Sequence, residues 1–199
     1  MKVRPSVVDI EVTLDHVEPI VMRRLAVPLS LDLDRLHVAL QIVIGWTNSR
    51  LYEFWIGDSR FGIPDPDCGD PAGPLDARDV TLQSVLEDMR IQSFKYLYDF
   101  GDGWEHSIKM GRVEQGASGI VYPFLFKAAG RCPPEDIGGP FGYKEFLQVL
   151  ATPNHPRHQE LVGWWGSETF DVEAIDYASI DHELRNLKRR WARQARKKI

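Results

Sequence analysis

Apolar and polar residues alternate with a period of two along several short stretches of the chain, which is typical of half-buried β-strands. The alternation is most regular over residues 8–14, where valine, isoleucine and leucine occupy every second position. Gly57-Asp58 and Gly101-Asp102-Gly103 supply turn residues between successive stretches. The pattern predicts strands over residues 8–14, 21–27, 51–56, 60–63, 94–100, 104–110 and 120–127.

A helical period appears between the second and third predicted strands. Apolar residues at positions 33, 36, 40 and 43 fall on one face of a helix. We predict that this helix begins after Ser30 or Asp32 and ends at Gly45. Near the C-terminus, positions 180, 184, 187 and 191 form a second apolar stripe. Other helices are predicted over residues 81–89, through 146–150, from 155 to 165 and from Asp171 or Asp176 onward.

This order of elements predicts an α+β fold: a mixed sheet with a β-grasp-like N-terminal half and a helical C-terminal section. We predict one domain over residues 1–184 and a basic helical tail over residues 185–199. Residues 64–79 hold four prolines and five aspartates, a composition that predicts a loop.

Charge is unevenly distributed between these two parts. Residues 185–199 contain eight basic residues and no acidic one, which leaves 16 basic and 29 acidic residues in the preceding 184. A basic amphipathic helix is able to bind nucleic-acid phosphates, an anionic membrane, or the acidic body of its own molecule or of a neighbour. The candidate nucleic-acid contacts are Lys188, Arg189, Arg190, Arg193 and Arg196.

The hairpin at residues 94–110 concentrates ionisable residues at its tip. Asp99 and Asp102 lie in the turn, and Trp104 and His106 share one face of the returning strand. A carboxylate beside a histidine can hold a metal or form an acid–base pair. Turn aspartates also accept backbone N–H bonds with no further role, so both interpretations stay open.

A second unusual segment runs from Cys132 to Tyr143. Two prolines stiffen it and two glycines permit positive φ angles. Glu135 and Asp136 are able to join the hairpin carboxylates in one acidic pocket, although a purely architectural loop accounts for the same residues. The candidate binding cluster is therefore Asp99, Asp102, Trp104, His106, Cys132, Glu135 and Asp136.

Composition narrows the class of protein. With 43% hydrophobic and 27% charged residues, the chain reads as an ordinary globular protein. No run reaches the roughly 18 apolar residues of a membrane span, and residues 1–5 do not resemble a signal peptide. Cys68 and Cys132 have no metal-ligand spacing. We predict a cytoplasmic protein.

Two long motifs resemble the plasmid pRiA4b ORF-3-like family. They are YDFGDGWEH at residues 98–106 and CPPEDIGGPFGY at residues 132–143. Shorter pieces agree in order, namely MRR at 22–24, LH at 36–37, GW at 45–46, LYEF at 51–54 and PNHP at 153–156. Many relatives carry a cysteine soon after the Tyr-Pro pair, whereas here Tyr122-Pro123 precedes Phe124, so no paired-cysteine role is predicted for Cys132.

The resemblance implies an α+β fold and an association with plasmids or insertion elements. It implies no reaction, cofactor or catalytic residue. Our leading hypothesis is a non-enzymatic binding or accessory module for a protein or nucleic-acid partner. The alternatives are a metal-dependent hydrolase or nuclease that uses the acidic and histidine cluster, and a nucleic-acid-binding protein that acts through its tail. The residues do not define a ligand, a metal or an oligomeric state.

Overall fold

Eight strands form one mixed sheet in the computed structural model, which describes residues 4–64 and 73–197, with side chains through Gln194. The order across the sheet is β5-β4-β3-β6-β7-β1-β2-β8. Neighbours pair antiparallel except β4 and β5, which are parallel. The strands are β1 (Ser6–Leu14), β2 (Val21–Pro28), β3 (Tyr52–Ile56), β4 (Ser59–Gly62), β5 (Leu75–Asp76), β6 (Ser93–Tyr98), β7 (Trp104–Gln115) and β8 (Phe124–Ala129).

Five α-helices accompany the sheet within the described residues. They are α1 (Leu33–Ile44), α2 (Leu82–Glu87), α3 (Gly139–Leu150), α4 (His158–Trp165) and α5 (Tyr177–Lys197). The predicted α+β class is therefore confirmed. No helix among the described residues is long and apolar enough to cross a membrane.

Helix α1 lies across one face of the sheet. Both of its ends and its apolar stripe agree with the sequence pattern. The Asp32 side chain accepts the Arg35 N–H at the start, and Gly45 ends the helix with φ 93°. Near its first turn, Tyr52 of β3 donates to Asp34; near its last turn, Arg23 of β2 donates to the Val43 carbonyl. The helix therefore spans from β3 to β2.

Helix α5 packs over α1 through its apolar stripe. Leu184 and Leu187 are each 2% exposed, and the Arg35 guanidinium of α1 lies over the Trp191 ring at 5.5 Å. At the other end of α5, the Tyr177 hydroxyl bonds the backbone of Ala128 in β8. The stripe predicted for the last helix is thus the surface that anchors it.

Three finer predictions differ from the structure. The β-grasp-like arrangement of the N-terminal half is not confirmed, because β6 and β7 lie between β1 and β3. The predicted loop 64–79 is wrong over residues 75–79, where β5 is followed by a 3₁₀ turn with a fully buried Ala77; residues 65–72, including Cys68, lie outside the described part. Strand β6 ends at Tyr98, and Phe100 lies in the turn.

The division into residues 1–184 and 185–199 stays a prediction. Its boundary falls inside α5, which continues without a break from Tyr177 to Lys197.

Candidate functional site

The two unusual segments meet in the folded protein, and Arg50 joins them. Its Nη2 donates to Asp136 Oδ1 at 2.6 Å, and its Nε lies 3.5 Å from Asp99 Oδ2. Asp99 itself has φ 54° and accepts the Gly101 N–H at 3.0 Å, so its carboxylate also shapes the turn. The hairpin tip and the 132–143 segment are therefore one structure.

Three further hydrogen bonds complete this junction. Glu135 accepts the Thr47 N–H at 2.8 Å and the Tyr98 hydroxyl at 3.0 Å. Asp102 Oδ2 accepts the Gly138 N–H at 3.2 Å. We call the junction formed by Arg50, Asp99, Asp102, Glu135 and Asp136 the loop clasp.

A close backbone approach fixes the geometry of the loop clasp. Gly139 has φ 68°, and a Cβ built on it would lie 2.2 Å from the Asp102 carbonyl oxygen. No side chain fits at that distance, so glycine is required both by conformation and by space. This contact seats the first turn of α3 directly on the hairpin turn.

Cys132 begins the second segment and is held from the core side by Arg23. The Arg23 Nη2 donates to Cys132 Sγ at 3.0 Å, and both side chains are buried. Burial raises the pKa of the thiol to about 11, with the Arg23 charge acting in the opposite direction. The thiol is therefore protonated at neutral pH, which makes it a poor nucleophile and metal ligand.

His106 and Trp104 belong to the core rather than to the clasp. Both are 1% exposed. The His106 Nδ1 donates to the Tyr96 carbonyl at 3.2 Å, and its Nε2 has no hydrogen-bond partner among the described residues. Burial lowers its pKa to about 4, opposed by smaller effects that include the charge of Asp15. The structure therefore does not bring His106 to the carboxylates of Asp99 and Asp102.

Another buried histidine, His37 of α1, organises a polar network under the sheet. Its Nδ1 accepts from the Tyr96 hydroxyl at 2.7 Å, and its Nε2 donates to the Asn48 side-chain oxygen at 2.5 Å; this tautomer also lets the hydroxyl accept from Gln41. The ring stacks on Tyr52 at 3.7 Å. Burial lowers the pKa of His37 to about 4. His37 and His106 are thus both neutral near pH 7.

Around the loop clasp, three large apolar side chains are exposed. Phe141 in the first turn of α3 is 89% exposed, Leu51 is 58% and Phe100 in the hairpin turn is 50%. They are tied together by the clasp, since the Leu51 carbonyl accepts the Asp99 N–H and Gly139 contacts Asp102. We call Leu51, Phe100 and Phe141 the clasp patch. Exposed aromatic side chains grouped beside charged ones are typical of interaction surfaces.

The basic residues of α5 lie apart from the clasp patch. Lys188, Arg189, Arg190 and Arg193 are exposed, while Leu184 and Leu187 on the same helix are buried. Arg189 bonds only Asn186, and the four make no ion pair within the described part of the chain. The side chain of Arg196 lies outside the described residues. The docked helix therefore presents an uncompensated basic face.

A cleft of about 960 Å³ lies between the last turn of α1, residues 131–135 and the start of α5. In it, the Arg131 guanidinium lies over the rings of Trp165 at 5.1 Å and Phe170 at 4.5 Å.

Across the described residues, no three histidine, cysteine, aspartate or glutamate side chains are placed to hold one metal ion. The set of ligands that a metal-dependent hydrolase needs is thus not assembled among the described residues.

Comparison with known proteins gives the family. The model of the plasmid pRiA4b ORF-3-like protein family matches residues 6–179. The chain belongs to that family.

Two relatives extend the comparison. An uncharacterised protein, y4hQ of Sinorhizobium fredii, is 54% identical over 193 residues, which cover 97% of this chain and 98% of the relative. A crystal structure of a protein of unknown function, MM3350 of Methanosarcina mazei, superposes with a TM-score of 0.77 at 28% identity and covers 90% of this chain and 98% of its own.

Sequence reasoning missed Arg23 and Arg50 as members of this site. Arg23 carries a readable signal, since it stands on the apolar face of β2 between Val21 and Leu25. An arginine at a core-facing strand position implies a buried, multiply bonded guanidinium. Arg50 carries no such signal, because it lies in an irregular connection and its partners are remote in sequence.

We expect Gly139→Ala to destabilise the protein by more than about 2 kcal/mol, because a Cβ collides with the Asp102 carbonyl and the residue has a positive φ. Urea unfolding measures the loss. Gly163→Ala in α4 is the matched control: a Cβ there meets nothing within 4 Å, so it should leave stability unchanged or raise it by up to about 1 kcal/mol. Equal stabilities of the two variants would contradict the close approach.

We expect stability to fall as pH decreases from about 6.5 to about 4. The unfolded chain binds protons at His37 and His106 near pH 6.5, whereas their pKa values in the folded protein are lowered to about 4. The free energy of unfolding should therefore drop by about 1.4 kcal/mol per pH unit for each histidine in this interval. Urea unfolding at several pH values measures how the free energy of unfolding depends on pH. In His37→Gln and in His106→Gln this dependence should be weaker by the contribution of one histidine. A slope unchanged by both substitutions would show that neither histidine is buried neutral.

Proposed function

We propose that the protein is a non-enzymatic binding module whose clasp patch binds an arginine-rich segment of a partner protein. The observation that carries this proposal is the exposure of Phe100 and Phe141 on a rigid junction that also bears carboxylates. Guanidinium groups stack on aromatic faces and pair with carboxylates, and their methylene stems cover apolar surface.

Charge at the loop clasp supports a cationic partner. The loop clasp contains four carboxylates and one guanidinium, that of Arg50, so it has an excess of negative charge. Asp136 remains 63% exposed despite its pairing with Arg50. A partner that brings a second guanidinium therefore meets both an accessible carboxylate and two exposed rings.

The same stacking already occurs several times inside this chain. Arg24 lies 5.1 Å over the Phe126 ring, and Arg35 lies over Trp191. Such contacts contribute about 0.5–1 kcal/mol each at exposed sites. The proposed interaction thus uses chemistry that the fold itself relies on.

The state of the ionisable side chains supports binding rather than catalysis. The clasp carboxylates accept hydrogen bonds from backbone amides, Tyr98 and Arg50, and the Cys132 thiol is protonated. A general base or nucleophile needs a free, correctly poised group next to the substrate. Here those groups hold the two segments together.

We further propose that the module acts in the cytoplasm and is associated with a plasmid or another mobile element. The description of the family, which refers to a plasmid reading frame, supports this extension.

We expect the protein to bind a synthetic helical peptide with arginine at every fourth position more tightly than the matched lysine peptide. The difference in Kd should be about fivefold, or about 1 kcal/mol, because the planar guanidinium stacks on a ring and pairs with a carboxylate better than an ammonium does. Phe100→Ala with Phe141→Ala should abolish the preference in isothermal titration calorimetry. Val113→Ala, at an exposed position about 30 Å along β7 from the turn, should retain it. Equal affinity for both peptides in the parent protein would overturn the proposal.

A second candidate function is nucleic-acid binding through α5. It is favoured by the exposed basic face that remains after the apolar stripe of the helix is buried. Phosphates are the anions that such a face contacts without regard to sequence.

If α5 binds DNA, anisotropy of a labelled duplex should show an affinity that falls steeply with salt, by about 0.9 in the log–log slope for each phosphate contacted. Arg189→Gln with Arg193→Gln should reduce the magnitude of that slope by the amount that corresponds to about two phosphate contacts. Lys109→Gln with Arg112→Gln on β7 removes the same charge elsewhere and should have little effect. Binding that is insensitive to salt or to the α5 substitutions would exclude this function.

A further inference from the structure

We infer that the arginine-rich segment that fits the clasp patch is α5 of a second copy of this chain, so that the basic face of one molecule docks on the loop clasp of another. The inference rests on the proposed function of the clasp patch. It adds the identity of the partner, which follows from the complementarity of two surfaces of one chain.

The first surface, the basic face of α5, presents its arginines at a regular spacing. Positions 185, 189 and 193 are all arginine and lie four residues apart, hence on one side of the helix. Arg185 pairs with Asp181 at 2.7 Å, whereas Arg189 and Arg193 have no acidic partner among the described residues. Two guanidinium groups one helical turn apart are therefore available for a pair of aromatic rings.

This face is directed away from its own molecule. Leu184, Leu187 and Trp191 anchor the opposite side of α5 on α1. A helix fixed by its apolar stripe cannot turn its basic side inward without exposing that stripe. The arginines are thus presented to a second molecule rather than to the body of their own.

The second surface supplies the complementary groups. Phe100 and Phe141 offer ring faces, and Asp136 offers an accessible carboxylate. Overall charge agrees with this pairing, since residues 1–184 carry an excess of acidic residues and residues 185–199 carry only basic ones. Opposite charges on two parts of one chain favour contacts between copies when the geometry prevents contact within one copy.

Each molecule carries both surfaces, so two molecules related by a two-fold axis make the contact twice. A single contact between the α5 arginines and the aromatic and acidic groups of the clasp is weak. Making it twice in one closed dimer raises the affinity. Because the groups are exposed and charged, the association weakens with salt.

The test is sedimentation velocity of the full chain in about 50 mM and about 500 mM salt, where the screening length differs by more than twofold. We expect a dimer that dissociates in high salt. Arg189→Glu with Arg193→Glu, and separately Phe100→Lys with Phe141→Lys, should each raise the dissociation constant at least about tenfold. An equimolar mixture of these two variants should restore the dimer, because the acidic helix then faces a basic patch and the other contact is that of the parent protein.

Matched controls are Lys109→Glu with Arg112→Glu for the change in net charge, and Val113→Lys for a new lysine at an exposed position; both should dimerise like the parent. A monomer at low salt, or a dimer that ignores both charge reversals, would overturn the inference. If the chain stays monomeric but prefers the arginine peptide, the proposed function stands and the partner is another protein. If the chain dimerises only when duplex DNA is added, the basic face serves nucleic acid and the inference is again overturned.

Discussion

The buried guanidinium of Arg23 is the interaction on which the candidate site depends. Arg23 is 3% exposed, yet none of its hydrogen-bond partners within the described residues is a carboxylate. Instead it donates to four backbone carbonyls and to the Cys132 sulfur, at distances of 2.7 to 3.0 Å. Burying a charge costs several kcal/mol unless polar groups replace its water. Here carbonyl dipoles do so, including Val43 at the negative end of α1.

This arrangement joins three parts of the fold that are remote in sequence. The carbonyl oxygens come from the last turn of α1, from β2 itself and from Ala129 and Gly130 at the end of β8. A lysine could not reach them together, because its donors radiate from a single nitrogen whereas the guanidinium carries its donors on a planar fork. The fork therefore sets where the chain leaves β8, and with it the path of residues 131–138 toward the hairpin.

Arg23 and Arg50 act in series along that path. Arg23 fixes the beginning of the segment at Cys132, and Trp46 donates to the Pro133 carbonyl at 2.9 Å one residue later. Arg50 then fixes Asp136, and Gly139 closes against Asp102. Since both ends and the middle are bonded, the exposed Phe141 projects from a rigid support. Rigidity of this kind lowers the entropy lost on binding, which is why an exposed ring here is better suited to recognition than one on a mobile loop.

Much of the fold could be predicted from the sequence because the periodicity of apolar residues is local. The end of α1 at Gly45, its start near Asp32 and the apolar stripe of α5 all follow from residues a few positions apart. The insertion of β6 and β7 between β1 and β3 could not be predicted, since strand order depends on pairings between distant segments. Likewise, the 3₁₀ turn at Ala77 is stabilised by burial against the rest of the fold, in a stretch whose composition favours a loop.

The candidate site shows the same division. Turn aspartates and glycines were recognisable from their residue types, and the meeting of the two segments was only a hypothesis until Arg50 and Gly138 provided the contacts. The sequence places His106 close to these carboxylates along the chain. On a strand, however, alternate side chains face opposite sides of the sheet, and His106 follows Trp104 into the core. Proximity in sequence places His106 in the candidate binding cluster, whereas in the structure its side chain is buried in the core and the carboxylates lie at the turn.

The distribution of charge gives the last argument for a binding role. An acidic body loses stability through repulsion among its carboxylates unless cations are placed among them. This chain places one cation, Arg50, at the loop clasp and gathers eight on its last fifteen residues. Helix α5 carries Arg189 and Arg193 on the side opposite its anchoring leucines, so these two charges contribute nothing to neutralising the loop clasp of their own molecule. Such a division of charge within one chain is explained when the acidic junction and the basic helix each act on another molecule.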